Sequence, residues 1–251
     1  MSTYSDSTYE NRHTTTLYSA ETIISILLEV VPTIRSAVDV GCGVGTWLAV
    51  LNEKGVDEIQ GIDGDWVDKD YLVIPPGRFM ECDFSKPIKL DRRFDLAISL
   101  EVAEHLPATN ATSFVCSLTD LSDIVLFSAA IPYQGGNNHI NEQWPDYWAR
   151  HFKDRGYSVV DIIRKQVWKD EKIPVWYRQN VLLFVKRKSD LQMEKVSAED
   201  LWDIPLSIVH PHLYLRKIKH NISVRGSLGL FRRAIENAIK RKLGFRQENN
   251  S

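Results

Sequence analysis

Cysteine and long apolar runs are both scarce in this chain. Its 251 residues include three cysteines, whose spacing fits neither a metal motif nor a disulfide framework: Cys42, Cys82 and Cys116. The longest apolar run, residues 23–31, is interrupted by Ser25 and Glu29 and is too short to span a bilayer. The first residues are polar and lack the apolar core of a secretory signal. These absences favour a protein of the reducing cytoplasm.

The net charge of −2 conceals an uneven distribution of charge. Residues 211–251 contain ten Lys/Arg and two Asp/Glu, a balance of +8, which leaves 21 basic and 31 acidic residues, or −10, for residues 1–210. An acidic body of this kind makes nucleic acid an unexpected partner. The basic tail includes an amphipathic helix predicted at 227–243, whose apolar face consists of Leu228, Phe231, Ile235, Ile239 and Leu243. We expect this helix to dock on its own domain, to contact a partner subunit, or to lie on an anionic membrane surface, which would make the protein peripheral to the membrane.

Strand patterns alternate with helix patterns along most of the chain. Helices are predicted at 20–31, 45–53, 108–121 and 147–155, and strands at 36–40, 58–62, 78–82, 94–100, 123–129, 157–163 and 181–185. This alternation predicts an α/β fold with a doubly wound, mostly parallel seven-stranded sheet. The last two strands have no full helix pattern between them, which predicts antiparallel pairing at one edge. We therefore expect a flexible N-terminal segment or lid at 1–19, an α/β domain at 20–188, and a helical basic C-terminal extension at 189–251.

A glycine-rich turn follows the first predicted strand. Gly41, Gly43 and Gly45 would let the backbone approach a ligand closely at the start of a helix, and Asp63 ends the next strand, where its carboxylate can accept both hydroxyls of a ribose. This geometry serves NAD as well as S-adenosylmethionine. Two details favour the second cofactor. The glycine spacing is G-x-G-x-G, and Asp39 adds a buried negative charge that would repel a pyrophosphate but suit a cationic ligand.

Four motifs in this order resemble those of the class I S-adenosylmethionine-dependent methyltransferases. They are residues 38–45, the pair Ile62-Asp63, the triplet Cys82-Asp83-Phe84, and residues 94–99. The resemblance implies a Rossmann-like methyltransferase fold and S-adenosylmethionine as cofactor. It implies that Asp83 bonds the adenine amino group and that Phe84 offers a backbone donor and a wall. Trp66 beside the adenine and Leu100 at the end of the fourth strand complete the expected cofactor site.

The segment after the fourth strand carries two carboxylates and an imidazole. Glu101, Glu104 and His105 are spaced i, i+3 and i+4, so one helical turn would place all three on one face, and His139 could add a fourth ligand for a divalent metal. This E-x-x-E-H set with a distant histidine resembles the metal site of small-RNA 2′-O-methyltransferases, and its first part resembles ubiquinone-pathway O-methyltransferases. The resemblance implies a divalent ion such as Mg²⁺, Mn²⁺ or Zn²⁺. Without a metal, His105 or His139 is the expected general base, and Glu142 is a further catalytic candidate.

Several acceptors remain open at the level of sequence. A metal-assisted site favours a hydroxyl, so we expect an O-methyltransferase acting on a small molecule or a sugar or glycan. Residues 209–216 resemble the tails of methyltransferases from cell-surface polysaccharide pathways. An RNA 2′-O-methyltransferase, a small-molecule N-methyltransferase and a cofactor-binding subunit without activity are the alternatives. The lack of an Asn/Asp-Pro-Pro-aromatic run disfavours methylation of nucleic-acid bases.

Overall fold

A computed structural model describes residues 6–186, 191–196, 206–221 and 224–242. The chain divides into two compact units, residues 1–208 and 209–251. The first five residues of the predicted lid and Leu243 of the predicted tail helix lie outside the described residues. No helix in the described ranges has both the length and the apolar character that a membrane span requires.

The first unit contains seven strands and six α-helices within its described residues. The strands are β1 Ser36–Val40, β2 Glu58–Asp63, β3 Phe79–Glu81, β4 Leu96–Leu100, β5 Ile124–Ser128, β6 Ser158–Val160 and β7 Leu182–Val185. The helices are α1 Asp6–Val30, α2 Thr46–Glu53, α3 Ala111–Leu121, α4 Pro145–Asp154, α5 Ile162–Val167 and α6 Val175–Asn180. The described part of the second unit consists of α7 Pro211–Asn221 and α8 Val224–Lys242.

The sheet confirms the predicted fold class. Its order is β3-β2-β1-β4-β5-β7-β6, and the pairs from β3 to β5 are parallel. Strand β7 runs antiparallel to both of its neighbours, so it is inserted between β5 and β6 and produces the antiparallel pairing predicted at this edge. The parallel strands end together at one edge of the sheet, where ligands bind in open α/β folds. The glycine turn after β1 and Glu101 after β4 both lie at that edge.

Two hydrophobic layers cover the sheet. Alternate residues of β1 enter different layers, since Ala37 packs with α1, α2 and α5, while Val38 and Val40 pack with α3 and α4. All five residues of β1 and of β4 are buried. A strand that is buried on both faces reads as a continuous apolar run, which explains why these strands could be recognised in the sequence.

Two elements differ from the sequence-based prediction. Helix α1 begins at Asp6 instead of near Ala20, so it extends into the segment expected to be flexible or a lid. The strand predicted at 157–163 is limited to β6, because the chain turns into α5 after Asp161. Asp161 and Arg164 form a buried ion pair, with Nε–Oδ1 at 2.8 Å and Nη2–Oδ2 at 2.5 Å. An i, i+3 pair of this kind requires a helical turn.

Candidate active site

The glycine turn holds a backbone shape that suits a ligand. Gly41 and Gly43 have φ values of +88° and +53°, in the left-handed region that favours glycine. A Cβ at Gly41 would lie 2.3 Å from Cγ2 of Val102, so the turn packs directly against the segment after β4. A Cβ at Gly43 would meet no protein atom within 4 Å, so this glycine borders open space. A side chain at Gly43 would occupy the open space beside the turn, and glycine leaves that space to a ligand.

Asp63 shapes this turn from the end of β2. Its Oδ2 accepts a hydrogen bond from the backbone N–H of Gly43 at 2.7 Å, and its Oδ1 accepts one from the N–H of Gly64 at 2.7 Å. Each carboxylate oxygen has two lone pairs, so the same group can also accept ribose hydroxyls. The glycine turn and this acid, 20 residues apart in sequence, are thus in direct contact, and the ribose contact of Asp63 stays a prediction.

Asp39 lies below the turn and is 2% exposed. Its Oδ2 has no hydrogen-bond partner among the described residues. Burial, and secondarily the negative charge of Asp63, raise the pKa of Asp39 well above its usual range. A buried acceptor without a partner is costly, and a cationic ligand would relieve this cost. The donor set therefore fits a cofactor that carries a positive charge.

The residues expected around the adenine lie beside these strand ends. Asp83 is exposed, accepts a hydrogen bond from the N–H of Ser85 at 2.9 Å, and pairs with Lys86 at 3.3 Å. These hydrogen bonds, those from Ser85 first, lower the pKa of Asp83. The side chain of Phe84 is buried and packs against Phe114, with ring centroids 6.2 Å apart.

Trp66 and Leu100 occupy contrasting environments. Trp66 is 54% exposed, and its ring lies so close to Gly64 that a Cβ there would be 2.2 Å from it. Leu100 is buried as the last residue of β4. A large exposed ring beside the end of β2 is available to a ligand. The adenine contacts of both residues stay predictions.

Glu104, His105 and His139 come together as one cluster. Each offers one ligand atom, and these atoms lie within 4.8 Å of one another. Nε2 of His139 lies 4.0 Å from Oε1 of Glu104, and the two imidazole rings have centroids 4.9 Å apart. Glu104 and His105 belong to a 3₁₀ turn, Ala103–His105. The loop that carries His139 is anchored there, because the N–H groups of Ile140 and Asn141 donate to the Glu104 carbonyl.

Glu104 is the most unusual carboxylate of this cluster. It is fully buried, and neither of its oxygens has a hydrogen-bond partner among the described residues. Burial, and then the charge of Glu101, raise the pKa of Glu104 to about 9. Two unpartnered oxygens beside two imidazoles are a donor set that suits a divalent cation. The residues present therefore fit such an ion.

Glu142 lies behind His139 and fixes its loop. Its Oε1 is 3.0 Å from Nδ1 of His139, and its two oxygens accept from the N–H groups of Gly135 and Tyr133 at 2.6 and 2.7 Å. A carboxylate at Nδ1 selects the tautomer in which Nδ1 carries the proton, so Nε2 presents a lone pair toward Glu104. The geometry gives Glu142 a positioning contact with His139.

Glu101 does not belong to this cluster of three ligand atoms, although its charge acts on Glu104. Its place in the expected four-ligand set stays a prediction. Its φ is +57°, and it precedes the 3₁₀ turn, so it does not share one helical face with Glu104 and His105. Its carboxylate accepts from Nε2 of Gln134 at 2.9 Å and from Nδ2 of Asn180 at 3.0 Å. Burial raises the pKa of Glu101, and these hydrogen bonds oppose the shift.

The two amide partners of Glu101 were not among the predicted site residues. Gln134 follows β5 and Asn180 ends α6, and they are also bonded to each other, with Nδ2 of Asn180 at 2.9 Å from Oε1 of Gln134. They lie 33 and 79 residues from Glu101, so no local spacing links them. The sequence does place both residues near neighbouring strands. Gln134 comes after β5, which pairs with β4, and Asn180 comes just before β7, which pairs with β5.

Comparisons with known proteins agree with this fold. A family model described as a methyltransferase domain matches residues 12–162, more than half of the chain. No curated protein sequence matches the chain. Among solved structures, an O-methyltransferase family protein from Burkholderia thailandensis has a TM-score of 0.51 at 14% identity, covering 72% of this chain and 59% of that one. This chain thus spans less than two thirds of that protein.

Two further structures are covered almost completely. DesVI from Streptomyces venezuelae has a TM-score of 0.51 at 14% identity, covering 68% of this chain and 92% of that one. The methyltransferase domain of bacterial CtHen1-C has a TM-score of 0.50 at 22% identity, covering 68% and 98%. At these identities the likeness concerns the fold, and the family model carries the assignment. With its methyltransferase-domain match, its glycine turn bonded to the acid at the end of β2 and its seven-stranded sheet, this chain belongs to the class I S-adenosylmethionine-dependent methyltransferases.

Proposed function

We propose that this methyltransferase transfers the methyl group to a hydroxyl of a small molecule or a glycan, with a divalent cation held by Glu104, His105 and His139. The observation that carries the proposal is the buried carboxylate of Glu104, which faces Nε2 of His139 without a hydrogen-bond partner among the described residues. An N-methyltransferase has no need for such a donor set. A hydroxyl acceptor benefits from one, because its pKa lies far above neutrality and a bound cation lowers it.

The cofactor site supplies the first half of this chemistry. S-adenosylmethionine provides the methyl group on a cationic sulfonium. Asp39 contributes a buried negative charge for this cation, Gly43 leaves room for the ligand beside the backbone, and Asp63 accepts from the ribose hydroxyls. The displacement is in line, so these contacts serve to orient the methyl group toward the acceptor.

The second half concerns the acceptor and its proton. When bound, a divalent cation lowers the pKa of a hydroxyl beside it. Glu142 holds Nδ1 of His139, and the carbonyl of Asn138 lies 3.3 Å from Nδ1 of His105, so Nε2 is the nitrogen of each imidazole that would bind a cation. Gln134 and Asn180 fix the carboxylate of Glu101, whose remaining lone pairs can accept the hydrogen of an acceptor hydroxyl.

An acceptor other than RNA fits the charge of the chain better. Residues 1–210, which contain the whole proposed site, have 21 basic and 31 acidic residues. An RNA 2′-O-methyltransferase would present the same hydroxyl chemistry but needs basic contacts to phosphates. We also propose that the reaction takes place in the cytoplasm, since all three cysteines are free.

Metal titration and activity together test this proposal. The protein is stripped with a chelator, dialysed, and titrated with Mn²⁺ by calorimetry, and methyl transfer is assayed on polyols, sugars, short RNA and amines. We expect Mn²⁺ binding in the wild type, its loss in Glu104→Gln, and metal-dependent transfer to a hydroxyl acceptor. Glu53→Gln, an exposed change at the end of α2, is the matched control. Full activity on an amine after complete metal removal contradicts the proposal.

A further inference from the structure

One face of helix α8 presents apolar side chains to solvent. Val224, Leu228, Phe231 and Ile235 follow one another at spacings of four, three and four residues, which places them on one side of an α-helix. Their side chains are 80%, 64%, 67% and 44% exposed. An isolated exposed leucine needs no explanation, but a continuous apolar stripe of this length marks an interaction surface. We call these four residues the α8 stripe.

Helix α7 shows the same mixture of exposed residues. Tyr214, Leu215 and Ile218 are 57%, 48% and 39% exposed. Two exposed basic residues lie among them: Arg216 directly follows Leu215, and Lys219 directly follows Ile218. Within this unit α7 and α8 contact each other, so they form one small helical pair. Its exposed apolar surface thus extends beyond the α8 stripe.

Positive charge dominates the sequence of these helices. Residues 209–242 contain nine Lys/Arg, and Glu236 is the single acidic residue among them. Arg232 is exposed and directly follows Phe231 of the stripe. The cores of protein–protein interfaces are depleted of charge as a whole, and lysine, which supplies four of these nine basic residues, is rare there although arginine is not. A bilayer surface accepts this mixture, because apolar side chains enter between the lipids while basic side chains extend to the phosphates.

We propose that α7 and α8 bind the surface of an anionic lipid bilayer, with the α8 stripe inserted at the level of the headgroups. No helix among the described residues is suited to span the bilayer, so the contact is a surface one. The body of the chain, with a charge of −10 over residues 1–210, is repelled by such a surface. The attachment therefore depends on the tail helices, and it holds whatever the methyl acceptor is.

Vesicle co-sedimentation of the full chain tests this inference. Vesicles of phosphatidylcholine alone are compared with vesicles in which about one third of the lipid is phosphatidylglycerol. We expect binding to the anionic vesicles only, with weakening as salt is raised. Leu228→Glu places a charge in the stripe, and Leu230→Glu makes the same substitution on the other side of α8, at a residue that is 44% exposed.

The two variants have equal net charge, so they separate insertion from simple electrostatics. We expect Leu228→Glu to lower the partition coefficient on anionic vesicles at least about tenfold more than Leu230→Glu does. Circular dichroism checks that both variants keep their helices. Equal losses in the two variants, equal binding to both kinds of vesicle, or no binding at all overturns the proposal. Dimerisation without lipid that Leu228→Glu abolishes also overturns it, because the stripe would then cover a second copy of the chain.

Discussion

The substitution Glu104→Gln has opposite expected effects on stability with and without metal. In the wild type without metal, the protein must hold a buried carboxyl whose pKa is raised to about 9, and neither oxygen has a partner among the described residues. A buried unsatisfied polar group costs about 1–3 kcal/mol, and more when it is charged. Glutamine keeps the shape and does not titrate, so it removes the cost of retaining a proton that the unfolded chain loses at neutral pH. We therefore expect the variant to match the metal-free wild type or to exceed its free energy of unfolding by about 1–2 kcal/mol.

Metal reverses this order in the wild type. At a free Mn²⁺ concentration of about one hundred times Kd, binding adds about 2.7 kcal/mol to the free energy of unfolding, and the variant gains little because it lacks the central carboxylate. Urea denaturation at neutral pH, with chelator and with Mn²⁺, measures both effects. Glu53→Gln serves again as the control and should respond to metal like the wild type. Equal metal stabilisation of Glu104→Gln and the wild type refutes the reasoning.

Three further predictions concern the glycine turn, the amide partners of Glu101, and the buried hydroxyl of Tyr157. Gly43→Ala and Gly55→Ala both place alanine at positive φ with no atom within 4 Å of the new Cβ, so each should lower the free energy of unfolding by about 1 kcal/mol. Calorimetry should find a loss of S-adenosylmethionine binding for Gly43→Ala alone. Asn180→Ala removes a donor from Glu101 and should lower kcat about tenfold or more with unchanged cofactor affinity, whereas loss of cofactor binding would contradict this role. Burial raises the pKa of Tyr157 to about 12, so the folded state retains this proton after the unfolded chain has lost it, and stability should fall as pH rises from 10 to 12. Tyr157→Phe should flatten this fall in denaturation experiments, and an unchanged slope would count against the explanation.

The fold and the cofactor site could be recognised from the sequence because their signals are local. β1 and β4 are buried on both faces and read as apolar runs, and the turn after β1 needs glycine at positive φ. Asp63 follows the next strand, as parallel pairing of β1 and β2 requires. The glycine turn and Asp63 belong to one β-α-β unit, so the residues that determine this part of the site lie close together in sequence.

The acceptor side could not be recognised in full because its contacts are distant in sequence. Glu101 was expected on the helical turn of Glu104, but its left-handed backbone directs it to Gln134 and Asn180, which belong to other elements. The strand predicted after Tyr157 is a different case, because the i, i+3 pair of Asp161 and Arg164 is local and starts a helix within residues whose apolar pattern resembles a strand. Side-chain partners decided both cases, and the apolar pattern alone does not show them.

The central claim is that the turn after β1 and the carboxylate of Asp63 bind S-adenosylmethionine. Isothermal titration calorimetry of the full chain with S-adenosylmethionine, its demethylated product and NAD tests it most directly. We expect saturable binding of the first two, loss of that binding in Asp63→Ala, and no heat with NAD. Binding of NAD without any uptake of S-adenosylmethionine or its product would contradict it.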